Sequence, residues 1–118
     1  MLQSQRRASY ELGLLAEEVV VKYISNAGYI ILARRYKTKY GEIDIIAAND
    51  DELLFLEVKG RKKAPDLDSI INPTNLQRHR DAISCFLASN QGYENMICRL
   101  DLVIVCQGKV VAHVRNIG

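Results

Sequence analysis

The chain has 118 residues, 48% of them hydrophobic and 25% charged, with 7 Gly and 2 Pro. This composition excludes collagenous, low-complexity and disordered classes and predicts a single domain over residues 1–118. The formal net charge is +2, from 16 Lys and Arg against 14 Asp and Glu, which excludes a histone-like polycation but leaves the distribution of charge open. The longest apolar run, residues 27–33 with Gly28 counted, is seven residues, against the roughly 20 that a membrane-spanning helix needs. Glu17 and Glu18 interrupt the apolar stretch after Arg6 and Arg7 before it could serve as a signal-peptide core, so a cytoplasmic protein with no membrane partner is expected. Cys85, Cys98 and Cys106 are odd in number and have no pair spaced by two residues, so they read as buried reduced thiols rather than as a zinc site.

Leu12, Leu15, Ala16, Val19, Tyr23 and Ile24 recur at spacings of three and four, which predicts a helix over residues 9–27, stopped by Gly28. Residues 29–36, 43–49 and 52–59 are rich in β-branched and aromatic side chains and read as strands, with Asn49, Asp50 and Asp51 as turn residues between the second and third. A polar loop follows over residues 60–72. Asn72 and Pro73 then make an N-cap and first-turn pair for a helix whose stripe is Leu76, His79, Ile83 and Phe86 and which ends near Ser89. Residues 96–106 and 109–114 complete the strands, joined by a two-residue turn at Gln107 and Gly108. The order predicts an α/β fold on a mixed sheet. The uninterrupted apolar runs 53–56 and 102–105 mark its central strands.

Charges inside such strands must be paired, hydrated or metal-bound. If Asp50-Asp51 is a two-residue hairpin loop, Asn49 pairs with Glu52, which sets Asp44 opposite Glu57 and Glu42 opposite Lys59, all on one sheet face. Opposed carboxylates about 5 Å apart repel unless a cation or a proton lies between them. An Asp–Glu oxygen site suits a hard divalent cation, Mg²⁺ or Mn²⁺, and Lys59 adds a positive charge where a phosphate or an attacking water would lie. This is a phosphodiester-cleaving constellation.

The series Gly41-Glu42-Ile43-Asp44 followed by Glu57-Val58-Lys59 resembles the core of the PD-(D/E)xK, or restriction-endonuclease-like, nucleases. More closely, the chain resembles the YraN-like family of small bacterial proteins within that superfamily. The similarity takes in Gly13, Glu17, Gly28-Tyr29, Phe55 to Lys59 with Arg61, Asp101-Leu102-Val103 and His113 to Asn116. The resemblance implies a restriction-endonuclease-like αβββαβ core in which Asp44, Glu57 and the backbone carbonyl of Val58 hold the metal ion. Lys59 would assist the attacking water, and Glu17 would contribute a further carboxylate. Glu42 is a candidate partner of Lys59 or an added metal contact. Two positions depart from the family pattern: Asn75 stands where the second helix usually carries Lys, and Arg35 stands where Asn is common.

Eight of the 16 basic residues flank the acidic cluster: Arg34, Arg35, Lys37 and Lys39 before it, and Lys59, Arg61, Lys62 and Lys63 at its end. They predict a positively charged rim for a nucleic-acid backbone, DNA in the first instance, with no element suited to reading base edges. His79 and His113 read as structural histidines. Asp101 either reaches the site, lies at an edge, or pairs with Arg99 or Arg115. The competing readings are a nucleic-acid-binding module without turnover, favoured by Asn75, and a protein-interaction subunit.

Overall fold

The computed structural model describes residues 2–63 and 73–118. The chain runs α1 (Leu2–Asn26), β1 (Ile30–Thr38), β2 (Gly41–Ala48), β3 (Glu52–Arg61), α2 (Pro73–Ser89), β4 (Ile97–Cys106) and β5 (Lys109–Val114). Its five strands make one mixed sheet in the order β1-β2-β3-β4-β5, antiparallel except for the parallel pair β3–β4. The α/β class is as expected, and the first six elements follow the αβββαβ order of the restriction-endonuclease-like core. From residue 64 to residue 72 the expected polar loop and its Asn72 cap lie outside the described residues.

α1 begins seven residues earlier than its apolar stripe predicted. Residues 3–11 are all exposed and carry no stripe, but Gln, Arg and Ala are good helix formers and propagate it. At its other end Gly28 takes φ 97, and Tyr29 N–H donates to Ile24 C=O while Gly28 N–H donates to Ser25 C=O. That is a Schellman stop, which only a residue at ease with positive φ permits.

Alternation along β3 divides the core in two. Leu54, Leu56 and Val58 pack with Ala16, Val20 and Ile24 of α1, whereas Leu53 and Phe55 pack with Ala82 and Phe86 of α2. The helices therefore cover opposite sheet faces, and β3 and β4 are central, as their apolar runs predicted. α1 crosses β3 at Gly60, where an added Cβ would lie 2.8 Å from the Leu12 carbonyl oxygen and 3.1 Å from the Ala16 Cβ. Backbone cannot yield as a side-chain tip can. Gly60→Ala is expected to destabilise the fold by about 1–3 kcal/mol, read as a shift in urea midpoint; an unchanged midpoint would show that α1 moves aside freely.

On the α1 face, Asp101 is fully buried and every acceptor it offers is used. Arg99 Nε donates to Oδ1 at 2.9 Å, His113 Nε2 meets Oδ2 at 2.7 Å, and the Asn116 N–H donates to Oδ1 at 2.9 Å. The network extends from His113 Nδ1 to the Tyr23 hydroxyl at 2.8 Å, and from Arg99 to Glu52 and on to the Tyr29 hydroxyl. His113 is thus structural, and Asp101 takes the Arg99 alternative. The cysteines depart from expectation: Cys98 is exposed and Cys85 and Cys106 are only half-buried. Apolar sequence neighbours misled because an apolar residue is not itself always covered: Cys98 lies at the start of β4, where Ile97 is exposed as well.

Candidate active site

The β2–β3 hairpin closes as its turn chemistry predicts. Asn49 N–H donates to Glu52 C=O at 3.0 Å, and the Asn49 side-chain oxygen accepts from the N–H groups of Asp51 and Glu52 at 2.9 and 2.7 Å. Ala48 faces Leu53 and the register holds to Ile45 opposite Leu56. The next pair in that register is Asp44 and Glu57. Here the ladder ends, because the Val58 N–H donates instead to Asp44 Oδ2 at 2.8 Å. Beyond this point β2 stays with β1 down to Thr38 opposite Gly41, while β3 stays with β4 up to Arg61 opposite Cys106. The two strands fork, with the carboxylates at the fork.

A second irregularity aims them. Ile43 and Ile46, an odd number of residues apart, join the same α2-side cluster, so the alternation of β2 slips by one between them. Across the ladder, Arg34–Ile45 and Tyr36–Ile43 bracket Arg35 and Asp44, and Arg35 has φ 51. A non-glycine residue in this region is strained, least so for Asn or Asp. Sequence periodicity could not foresee the slip. It also corrects one expected pairing: Glu42 faces Lys37 of β1 rather than Lys59 in a continuous ladder.

The fork opens into a cleft of about 240 Å³ lined by Glu42, Asp44, Glu57 and Lys59 from the strands, Tyr40 and Gly41 from the β1–β2 turn, and Asn75, Arg78 and His79 from α2. Four of the five predicted site side chains thus meet in one place. Lys59 Nζ lies 2.6 Å from Glu57 Oε1, and His79 Nε2 lies 2.5 Å from Glu57 Oε2. His79 Nδ1 is 2.6 Å from the Asn75 carbonyl oxygen. His79 is the residue that the sequence reading missed. Its spacing from Leu76 and Ile83 puts it on the sheet-facing stripe as expected, but a carboxylate, not a core side chain, lies beneath it.

Glu17, the fifth, reaches the rim from α1. Its Oε1 is 3.1 Å from Arg35 Nε and 3.8 Å from Arg34 Nη2, and Arg34 also pairs with Glu18 at 2.8 Å. These two arginines of the predicted basic rim are therefore engaged by α1 carboxylates. Lys37, Lys39, Lys62 and Lys63 form no ion pair among the described residues, and Lys39 Nζ lies 5.2 Å from the centre of the Tyr40 ring. Arg61 Nη1 donates to the Gly60 carbonyl at 2.8 Å.

Burial, and then repulsion from Glu57, push the Asp44 carboxyl up from 3.8 to about 7. Burial also opposes ionisation of Glu57, but hydrogen bonds and charge from His79 and Lys59 outweigh it and hold Glu57 below its ordinary value. His79 is raised, chiefly by its bond to Glu57. The pair therefore splits into one readily ionised carboxylate and one that resists ionisation while no further cation is near.

This split carries a stability consequence. Above about pH 4 the unfolded chain releases the Asp44 proton, whereas the native state keeps it to about pH 7, so native stability falls as pH rises across that window. His79 acts in the same direction, its stabilisation being lost as pH rises through its raised value. The Glu57 contribution runs the other way and is lost on acidification below its ordinary 4.5. In EDTA the chain is expected to be less stable at pH 8 than at pH 5, and Asp44→Asn to be more stable than the unsubstituted chain at pH 8. Urea midpoints across this range check it; an Asp44→Asn profile parallel to that of the unsubstituted chain would contradict it.

The donor set fits a hard divalent ion. Asp44 Oδ1 has no hydrogen-bond partner among the described residues, and a carboxylate offers about four acceptor positions, of which Lys59 and His79 occupy two on Glu57. Among the described residues no group of three or more His, Cys, Asp and Glu gathers as a metal cluster; one or two carboxylates, with water completing the shell, is the number Mg²⁺ ordinarily takes.

A restriction-endonuclease-like core with a carboxylate pair and a lysine at the fork of its central strands defines the class of fold. The chain belongs to the family described as Uncharacterised protein family UPF0102, whose model matches residues 16–105, which bears out the YraN-like resemblance. A UPF0102 protein of Rhodopseudomonas palustris (strain BisA53) is 36% identical over 109 residues, covering 92% of this chain and 84% of its own length. One from Bradyrhizobium diazoefficiens is 34% identical over 110 residues, covering 93% and 83%, and one from Nitrobacter winogradskyi 34% over 108 residues, covering 92% of both. No helix among the described residues is long and apolar enough to cross a membrane.

Proposed function

We propose that this chain is a divalent-metal-dependent nuclease that hydrolyses phosphodiester bonds of DNA or of structured nucleic acid. The observation that carries this reading is the placement of Asp44 opposite Glu57 where β2 and β3 part, with Lys59 2.6 Å from Glu57 in the same cleft. Asp44, Glu57 and the Val58 carbonyl would hold Mg²⁺ or Mn²⁺. Bound there, the ion supplies Lewis acidity to a phosphoryl oxygen and lowers the pKa of a coordinated water. Lys59, one residue beyond Val58, donates to the attacking water or to a non-bridging oxygen as negative charge builds. Glu57 holds Lys59 in the cleft, Glu42 lines the same cleft and would add a further carboxylate to it, and Glu17 adds negative charge beside Asp44. Lys37, Lys39, Lys62 and Lys63, supported by Arg61 and by the engaged Arg34 and Arg35, grip the flanking phosphates in a salt-dependent manner.

The test is cleavage of duplex, single-stranded and branched substrates with Mg²⁺ or Mn²⁺, comparing the unsubstituted chain with Asp44→Asn. The second reading is a binding module without turnover, favoured by Asn75 in place of the family lysine and by the occupation of Glu57 by Lys59 and His79. It predicts salt-dependent binding in EDTA and no cleavage of any substrate form.

A further inference from the structure

Glu57 receives a second side chain that neither the motif nor the family pattern assigns. His79 Nε2 meets its Oε2 at 2.5 Å while His79 Nδ1 meets the Asn75 carbonyl at 2.6 Å. With Nδ1–H donating to a backbone carbonyl, the ring plane is fixed by α2 itself. The ring is also mostly buried, with 14% of its side chain exposed, so it cannot swing away freely. Lys59 holds the other oxygen of the same carboxylate from β3.

We infer that His79 is a positioning residue for the metal-ligating carboxylate, tying Glu57 to the first turns of α2 so that its free lone pairs stay turned toward Asp44. The inference rests on the metal-dependent reading above. Partners that orient a ligating carboxylate matter to affinity: their loss typically weakens metal binding 10–100-fold. The role belongs to geometry, since the Glu57 side chain has three rotatable bonds and Lys59, on the same strand, constrains only one of its oxygens.

Mn²⁺ binding tests this without any turnover, by EPR of free Mn²⁺ during titration at fixed pH, with thermal midpoints in EDTA as the control for folding. His79→Ala is expected to raise the Mn²⁺ dissociation constant about 10–100-fold. His79→Gln, whose amide can still donate to Glu57, is expected to restore binding to within about threefold, which a purely structural role would not do. Asp44→Asn serves as the blank. Equal or tighter Mn²⁺ binding by His79→Ala would overturn the inference, equal binding by giving the imidazole no role and tighter binding by making it a competitor of the ion, and either would leave the nuclease reading standing. If the unsubstituted chain binds Mn²⁺ no better than Asp44→Asn, the inference and the metal-dependent reading fall together.

Discussion

If the proposed nuclease reading holds, Asp44→Asn and Glu57→Gln are each expected to lower divalent-dependent cleavage by about a thousandfold or more, with the fold intact. Asn keeps the shape of Asp44 and retains an oxygen to accept the Val58 N–H, now made at 2.8 Å; only the negative charge is lost. On the proposed reading that charge would hold a divalent ion between the strands, and metal-supplied stabilisation of several kcal/mol in the transition state corresponds to at least about three powers of ten in rate. Glu57→Gln likewise removes the charge that Lys59 and His79 converge upon. Burial and repulsion from Glu57 already disfavour the ionised Asp44, so Asp44→Asn should not unfold the protein; Glu57→Gln gives up charge that His79 and Lys59 stabilise, and its urea midpoint is measured beside its cleavage so that lost chemistry is read apart from lost stability. Full cleavage by both variants would sink the nuclease assignment.

Asp101→Ala acts at the other polar centre and on stability rather than on cleavage. Removal of this fully buried carboxylate leaves Arg99 Nε, His113 Nε2 and the Asn116 N–H without the acceptor they now share, while Arg99 keeps Glu52 and His113 keeps Tyr23. Breaking a buried pair by deleting one partner costs about 3–5 kcal/mol, a large share of the total stability of a domain this size. Arg99, His113 and Asn116 together hold Asp101 below the ordinary carboxylate range against the opposing effect of burial, so the loss should be largest near neutral pH and shrink under acid. Urea unfolding at pH 7 and at low pH checks this; a loss below about 1 kcal/mol at pH 7 would mean that water enters and substitutes for the carboxylate. The network also ties distant elements together: Tyr23, Asp101, His113 and Asn116 join α1, β4, β5 and the segment that follows β5.

Much of this protein was legible as sequence because the signals are local. Gly28 marks the end of α1, since the helix stop needs positive φ there, and Asn49 with two aspartates specifies a two-residue loop. That loop length in turn set the register that brings Asp44 opposite Glu57, since a slip of one residue would reverse every side chain. The apolar runs of β3 and β4 announced strands covered on both faces. The start of α1 was missed because exposed residues carry no periodicity, and Cys98 was misplaced because the start of β4 is exposed on both faces, the apolar Ile97 included.

The net charge of +2 is near neutral, yet the residues themselves determine that this total conceals an acidic pair between two basic segments. Only the tertiary structure decided how those charges are used. Arg34 and Arg35 turn to the carboxylates of α1, whereas Lys37, Lys39, Lys62 and Lys63 form no ion pair among the described residues. Arg35 at φ 51 breaks the alternation that aims Asp44, and α2, arriving from sixteen residues beyond Glu57 at its first residue, sets His79 over that carboxylate. Spacing along a chain gives the phase of a side chain on its own helix or strand. Which side chain meets it from another element depends on packing angle, strand divergence and bulges, and these are fixed only when the sheet and its helices come together.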